Sequence, residues 1–115
     1  MRVAIVGSRG YSRSDKVREY VLALPSDTVV VSGGAAGVDS VAEITARKAG
    51  LKVDIYLPNW ATLGRSAGFQ RNVTIVENCD RVVAFWDGYS KGTSHTINLA
   101  HMAGKEVTII REKEE

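Results

Sequence analysis

Two arginines, three carboxylates and three glycine-bearing turns are the residues of this chain whose types and spacing suit chemistry at a phosphate. Gly7-Ser8-Arg9, Gly33-Gly34-Ala35-Ala36-Gly37 and Gly88-Tyr89-Ser90-Lys91-Gly92-Thr93 each stand where a β-branched apolar run gives way to a stretch with helical spacing. A strand that ends in glycine lets backbone approach a ligand without a Cβ in the way. The helix that follows turns unpaired N–H groups and the positive end of its dipole toward an anion. Arg9 and Arg71 bring guanidinium groups that pair with phosphate oxygens. Asp39, Asp87 and Glu43 are the nearby carboxylates that acid–base chemistry would need. Three such turns converging on one sheet edge would make a pocket.

Each of these residues also has a plainer reading. Gly33, Gly34 and Gly37 suit a tight strand-to-helix turn, as does Gly7. Arg9 could form a surface ion pair. Asp39 opens the second helical stretch, where a carboxylate caps the N-terminus and meets the dipole favourably, as an alternative to holding a ribose hydroxyl. Asp87 could close the turn before Gly88 by bonding its own backbone, and Thr93 and Ser94 could cap the last helix while a phosphate shares the same N–H groups. Trp60, Trp86 and Tyr89 are candidates for stacking on a base, with Trp86 also suited to a place in the core. His95 and His101, six apart, do not share a helix face as a metal pair would, and Cys79 reads as a small buried hydrophobe.

The elements that must position these residues alternate regularly. Apolar runs at 3–6, 29–31, 53–57, 82–86 and 107–110 predict five strands. Between them lie helical stripes: Val17, Tyr20, Val21 and Leu24; Val38, Val41, Ala42, Thr45 and Ala49; Phe69, Val73 and Val76; Thr93, Ile97, Ala100 and Ala103. Stops are written at Pro25, Gly50, Asn78 and Gly104. Such alternation implies parallel strands joined by right-handed crossovers, an α/β Rossmann-like three-layer sandwich in one domain over residues 1–115. The first and fourth runs are apolar throughout or nearly so, as central strands are, whereas Asp54 inside the third run suits an edge. The strand order is therefore expected to be 3-2-1-4-5, with the ligand site between the first and fourth strands. The long connection 58–68 could form a lid, and the charged tail from Arg111 is expected to fray.

Composition narrows the partners. The 115 residues carry 15 basic and 13 acidic side chains, a net charge of +2, which does not drive a protein onto duplex DNA by bulk charge. One cysteine rules out an internal disulfide, and no Cys or His spacing reads as zinc. The absence of a leader or an apolar run of about 18 residues leads us to expect a cytoplasmic protein without membrane contact.

In this order the motifs resemble the SLOG superfamily, which joins the Smf/DNA-processing protein A proteins with the lonely guy nucleotide hydrolases. The resemblance rests on Gly7-Ser8-Arg9, Ser32-Gly33-Gly34-Ala35-Ala36-Gly37-Val38-Asp39, Gly64-Arg65 with Arg71-Asn72, and Phe85-Trp86-Asp87-Gly88 followed by Gly92-Thr93-Ser94-His95-Thr96-Ile97. Within the superfamily the short form and the last segment are most similar to the YspA-like family. The resemblance implies a nucleotide-binding fold and, through pairing of helices beside the sheet, a homodimer. Lonely guy enzymes carry a catalytic glutamate three residues after the threonine of their Gly-Thr turn, where this chain has Thr96, so the expectation is binding or sensing of a nucleotide or nucleotide-derived ligand. The ligand contacts are then expected from Gly7, Ser8, Arg9, Gly33, Gly34, Ala35, Gly37, Asp39, Arg71, Asn72, Asp87, Gly92, Thr93 and Ser94. No metal ligand set and no obligatory cofactor is expected, though Mg²⁺ could accompany the phosphates. The alternatives are a hydrolase using Asp39 or Asp87 on a nucleotide N-glycosidic or phosphoester bond, and single-stranded DNA binding as in DNA-processing protein A.

Overall fold

The five apolar runs form five parallel strands: β1 (Arg2–Gly7), β2 (Val29–Ser32), β3 (Lys52–Ile55), β4 (Arg81–Trp86) and β5 (Glu106–Arg111). Their order in the sheet is β3-β2-β1-β4-β5, as the burial pattern of the sequence implied. The computed structural model describes residues 1–113. β1 and β4 are central because every residue from Val3 to Val6 and from Val82 to Phe85 is buried. β3 alternates exposed and partly buried residues and β5 mixes them, with no fully buried residue in either, as edges with one wet side do. Asp54 on the β3 edge pairs with Arg2 at 2.8 Å, which accounts for its charge within a strand.

The crossovers place α1 (Ser14–Leu22) and α2 (Val38–Lys48) on one face, and α4 (Ala67–Glu77) and α5 (Lys91–Met102) on the other. Val17, Val21, Ala42 and Ala46 cover Val3, Ile5, Val30 and Phe85 on the first face. Ile75, Val76, Ile97 and Ala100 cover Ala4, Val6, Val31 and Val82 on the second. Each buried Val, Ile or Phe side chain among these contributes about 1.5–3 kcal/mol relative to exposure, and each alanine methyl about 0.8 kcal/mol. Gly50 and Gly104, expected as helix stops, take φ of 81° and 71° just past α2 and α5.

Three local expectations are revised. Phe69 is exposed, and the buried stripe of α4 runs through Ala67, Asn72, Ile75 and Val76, so the helix is turned relative to the Phe69-Val73-Val76 reading. The connection 58–68, read as one long loop, holds a single-turn helix α3 (Trp60–Leu63), whose first turn is closed by the Asn59 carboxamide accepting from the Thr62 N–H, and then a 3₁₀ turn (Gly64–Ser66). The chain does not fray at Arg111, which ends β5, and the Glu112 carboxylate accepts from the Ser12 N–H at 2.9 Å. Glu114 and Glu115 lie outside the described residues.

Candidate functional site

β1 and β4 are neighbours in register, Gly7 opposite Phe85, but their chains leave to opposite faces of the sheet. A crevice opens at such a switch point. Here it is a cavity of about 410 Å³. Gly7, Arg9 and Gly10 line it from the turn after β1, and Ala35 and Asp39 from the segment after β2. Arg71, Asn72 and Ile75 of α4 form a third wall, and Asp87, Ser90, Gly92, Thr93 and Thr96 form the fourth. Ser8, Gly33, Gly34, Gly37 and Ser94 do not line it.

The turn after β1 is shaped by close packing. A Cβ on Gly7 would lie 2.5 Å from Val38 Cγ2 and 2.7 Å from the Phe85 carbonyl oxygen, so glycine is what lets α2 start against the strand. Ser8 is 1% exposed. Its N–H donates to Phe85 O at 3.1 Å, its Oγ accepts from the Asp87 N–H at 3.2 Å, and its carbonyl accepts from the Tyr11 N–H. Ser8 therefore stitches the two turns that flank the crevice and faces away from it. Arg9 is exposed at the rim and makes no hydrogen bond or ion pair among the described residues.

The glycine loop after β2 is folded around Asp39. This side chain is 5% exposed, and its Oδ2 accepts from the N–H groups of Gly33 and Ala35, both at 3.2 Å. These two loop amides are thus engaged within the protein. Burial pushes the Asp39 carboxyl up to about 6, against the opposing pull of the Ala35 N–H and the Arg71 charge. Glu43, one turn on, raises it further, and its own carboxylate accepts from the buried Ser32 hydroxyl at 2.5 Å. Gly37 is the N-cap of α2 and offers no side-chain cap, so Asp39 supplies the first-turn carboxylate.

Arg71 crosses the loop. Its Nη1 donates to the Gly33 carbonyl and its Nε to Asn72 Oδ1 at 3.0 Å. The guanidinium occupies the space a Cβ on Gly33 would need. Burial lowers the Arg71 pKa, Asp39 opposes that, and the charge of Arg9 adds to it, so the two cations act on one another across the site. Asn72 is buried and ties α4 to α5: its Nδ2 donates to Gly92 O at 3.4 Å and lies 3.1 Å from His95 Nδ1. His95 meets the Phe69 ring edge-on, centroids 4.7 Å apart, and desolvation lowers its pKa.

On the fourth wall Asp87 Oδ1 accepts from the N–H groups of Tyr89 and Ser90, each at 2.8 Å, and these bonds hold the carboxyl below its usual range. Asp87 closes its own turn. α5 starts at Lys91, earlier than a Thr93 cap implied, with Ser90 at the N-cap. Gly92 and Thr93 therefore lie within the first turn, where helical N–H groups have no intrahelical acceptor. The Thr93 and Ser90 hydroxyls share a hydrogen bond of 3.3 Å, and the Thr96 hydroxyl donates to Gly92 O. Among the described residues no group of three or more His, Cys, Asp or Glu is placed to hold a metal. Trp60, Trp86 and Tyr89 do not line the cavity; the Trp86 indole donates to Ser90 O and its ring lies under Arg111. The cavity residues absent from the predicted contacts are Val6, Gly10, Ile75, Ser90 and Thr96. Ser90 carried a signal, its place in the third glycine-bearing turn, whereas Ile75 enters through the core it shares with Val6.

A doubly wound parallel sheet with glycine turns and two arginines at its switch point defines the class: a Rossmann-like domain of the SLOG type. The family described as DNA recombination-mediator protein A matches residues 1–59, and the chain belongs to that family. It is similar to the Gene 61 protein of Mycobacterium phage D29, 34% identical over 122 residues that cover 97% of this chain and 98% of that protein. Among solved structures, DNA processing protein A from Streptococcus pneumoniae superposes with a TM-score of 0.82 at 24% identity, over 94% of this chain and 49% of that one. The Helicobacter pylori protein of the same name, whose structure describes its single-stranded DNA binding mode, gives 0.74 at 22% identity, over 95% of this chain and 64% of that one. The chain thus spans about half to two-thirds of those two proteins. These matches establish the SLOG superfamily and do not single out the YspA-like group within it.

Proposed function

We propose that the crest of the sheet binds the phosphates of a nucleotide chain, with single-stranded DNA as the ligand. The carrying observation is the pair Arg9 and Arg71, which face one cavity that also holds two carboxylates: Asp39, pushed up to about 6 by burial, and Asp87, whose charge is taken up by the Tyr89 and Ser90 amides. The first turn of α5 adds N–H groups and dipole from the opposite wall. Membership of a DNA recombination-mediator family and the binding described for the Helicobacter pylori protein support a strand as ligand. A free nucleotide is the second reading, favoured by a cavity of about 410 Å³, a size typical of small-ligand sites. Turnover has less support: Asp39 and Asp87 are both engaged by backbone amides, and Thr96 stands where lonely guy enzymes carry glutamate.

Fluorescence anisotropy with a labelled oligothymidylate, with duplex DNA and mononucleotides as competitors, tests this. The strand should bind more tightly than duplex. Arg71→Ala and Arg9→Ala should each weaken binding and flatten its salt dependence by about one counterion for each phosphate the arginine neutralises. Equal affinity in both variants would remove the cavity from the binding reaction. A mononucleotide that outcompetes the strand would favour the second reading.

A further inference from the structure

α1 and α2 turn Val17, Val21, Ala42 and Ala46 toward the sheet. Their outer sides carry a second apolar surface that no described residue covers. Between the helices lies a groove of about 420 Å³ with Leu22, Val41, Ile44 and Ala49 in its lining and Arg18 and Lys48 as its charged groups. On α2 the exposed Ile44 and Lys48, four residues apart, stand beside Val41 and Thr45, which lie at the margin of the buried Val38-Ala42-Ala46 face and form the floor of the groove. Leu22 is 64% exposed and Ile44 54%. Folding gains little from such residues, and adjoining exposed aliphatics mark an interaction surface.

The charges decide what fits there. Arg18 and Lys48 form no ion pair among the described residues. The carboxylates of the same two helices are engaged or turned elsewhere: Asp15 with Arg13, Asp39 with the Gly33 and Ala35 amides, Glu43 with Ser32, and Glu19 in a separate cavity with Tyr20 and Ile110. A nucleic-acid strand would find cations but no aromatic ring among the lining residues on which to stack a base. A second copy docked about a twofold axis would bring four unpaired cations around one apolar patch, a like-charge arrangement that opposes association.

We propose that the α1–α2 groove docks an acidic amphipathic helix of a partner protein, its apolar stripe seated on Leu22, Val41 and Ile44 and its carboxylates reaching Arg18 and Lys48. This surface shares no residue with the cavity at the crest, so its occupant can be present while the crest holds its ligand.

The test uses two fluorescent peptides of about 15 residues, long enough for roughly four helical turns, with one leucine stripe and either Glu or Lys at the flanking positions. The Glu peptide should bind about tenfold more tightly than the Lys peptide, with amide shifts confined to α1 and α2. Arg18→Glu combined with Lys48→Glu should reverse that preference, and Ile44→Asp should abolish binding of both. All three residues are exposed, and an unchanged melting curve confirms that the variants fold. Equal binding of the two peptides, or no binding up to about 1 mM, where association is worth only about 4 kcal/mol, overturns the proposal. A concentration-dependent dimer in sedimentation velocity that Ile44→Asp dissolves would also overturn it, by assigning the groove to a second copy.

Discussion

Asp39→Asn should abolish a loss of stability that the native chain suffers as pH rises. In the folded protein the Asp39 carboxyl titrates at about 6, raised from an ordinary value of 3.8 chiefly by burial. Between those values the native state holds a proton that the unfolded chain has released, so stability falls with rising pH across that window. The favourable contribution is fully present below the ordinary value, is lost progressively as pH approaches 6, and changes no further above it. Two pKa units at 1.36 kcal/mol each give a loss of about 3 kcal/mol. Asparagine keeps an oxygen for the Gly33 and Ala35 amides and carries no charge, so the variant lacks this slope. Urea denaturation of both proteins between about pH 4 and pH 8 isolates the effect, because the other titrating groups cancel in the difference. The native protein's stability minus the variant's should fall by about 3 kcal/mol across the series. A flat or rising difference would refute the reasoning, since it would mean that the two amides and Arg71 balance or outweigh burial at this carboxylate.

The same titration reaches the crest: the affinity for oligothymidylate, whose phosphodiesters do not titrate here, should rise as pH falls through about 6 in the native protein. Asp39→Asn should bind with the low-pH affinity throughout, and anisotropy at fixed ionic strength checks both. Gly7→Ala should lower stability by about 1–3 kcal/mol through overpacking against Val38 and the Phe85 carbonyl, seen as a lower urea midpoint with an unchanged slope. Ser8→Ala leaves the Asp87 N–H without its acceptor and should cost about 1–3 kcal/mol in the same assay; a neutral result would mean the turns hold without the stitch. Cys79, 5% exposed with its thiol pushed up by burial, should react with a thiol reagent only on unfolding, and rapid native labelling would contradict its placement.

The sheet was legible because burial on both faces writes a continuous apolar run, as in β1 and β4, and because a charge such as Asp54 marks an edge. The crest was legible as a place, since glycine turns after β1, β2 and β4 can meet only at the carboxyl ends of parallel strands. What the sequence did not reveal was which donors remain available there. Ser8 looks like a ligand hydroxyl in a Gly-Ser-Arg turn, yet its bonds run to Phe85 and Asp87, far away in sequence. Phe69 has helical spacing with Val73, but the contact that orients α4 is Asn72 reaching Gly92 and His95 across to α5. Side-chain period reports a helix's apolar face and says nothing of polar ties to a segment some twenty residues on. The α3 turn escaped for a related reason: one turn is too short to carry a period.

These internal bonds redistribute the roles within the site. In the notion of a glycine cradle, the loop after β2 gives its amides to the ligand; here the Gly33 and Ala35 amides go to Asp39, and the Gly33 carbonyl goes to Arg71. The loop is therefore a brace that fixes Arg71 against the sheet, and it restricts a long side chain whose ordering a ligand would otherwise have to supply. Arg9 has no such brace and stands at the rim. One positioned cation and one unbraced cation facing a helix start suit a ligand whose phosphates repeat along a chain: the first fixes one phosphate, and the second follows the next. A single terminal phosphate would use only the braced half. The two arginine variants can therefore separate the readings, because a free mononucleotide should lose affinity chiefly with Arg71→Ala, whereas a strand should lose it with either.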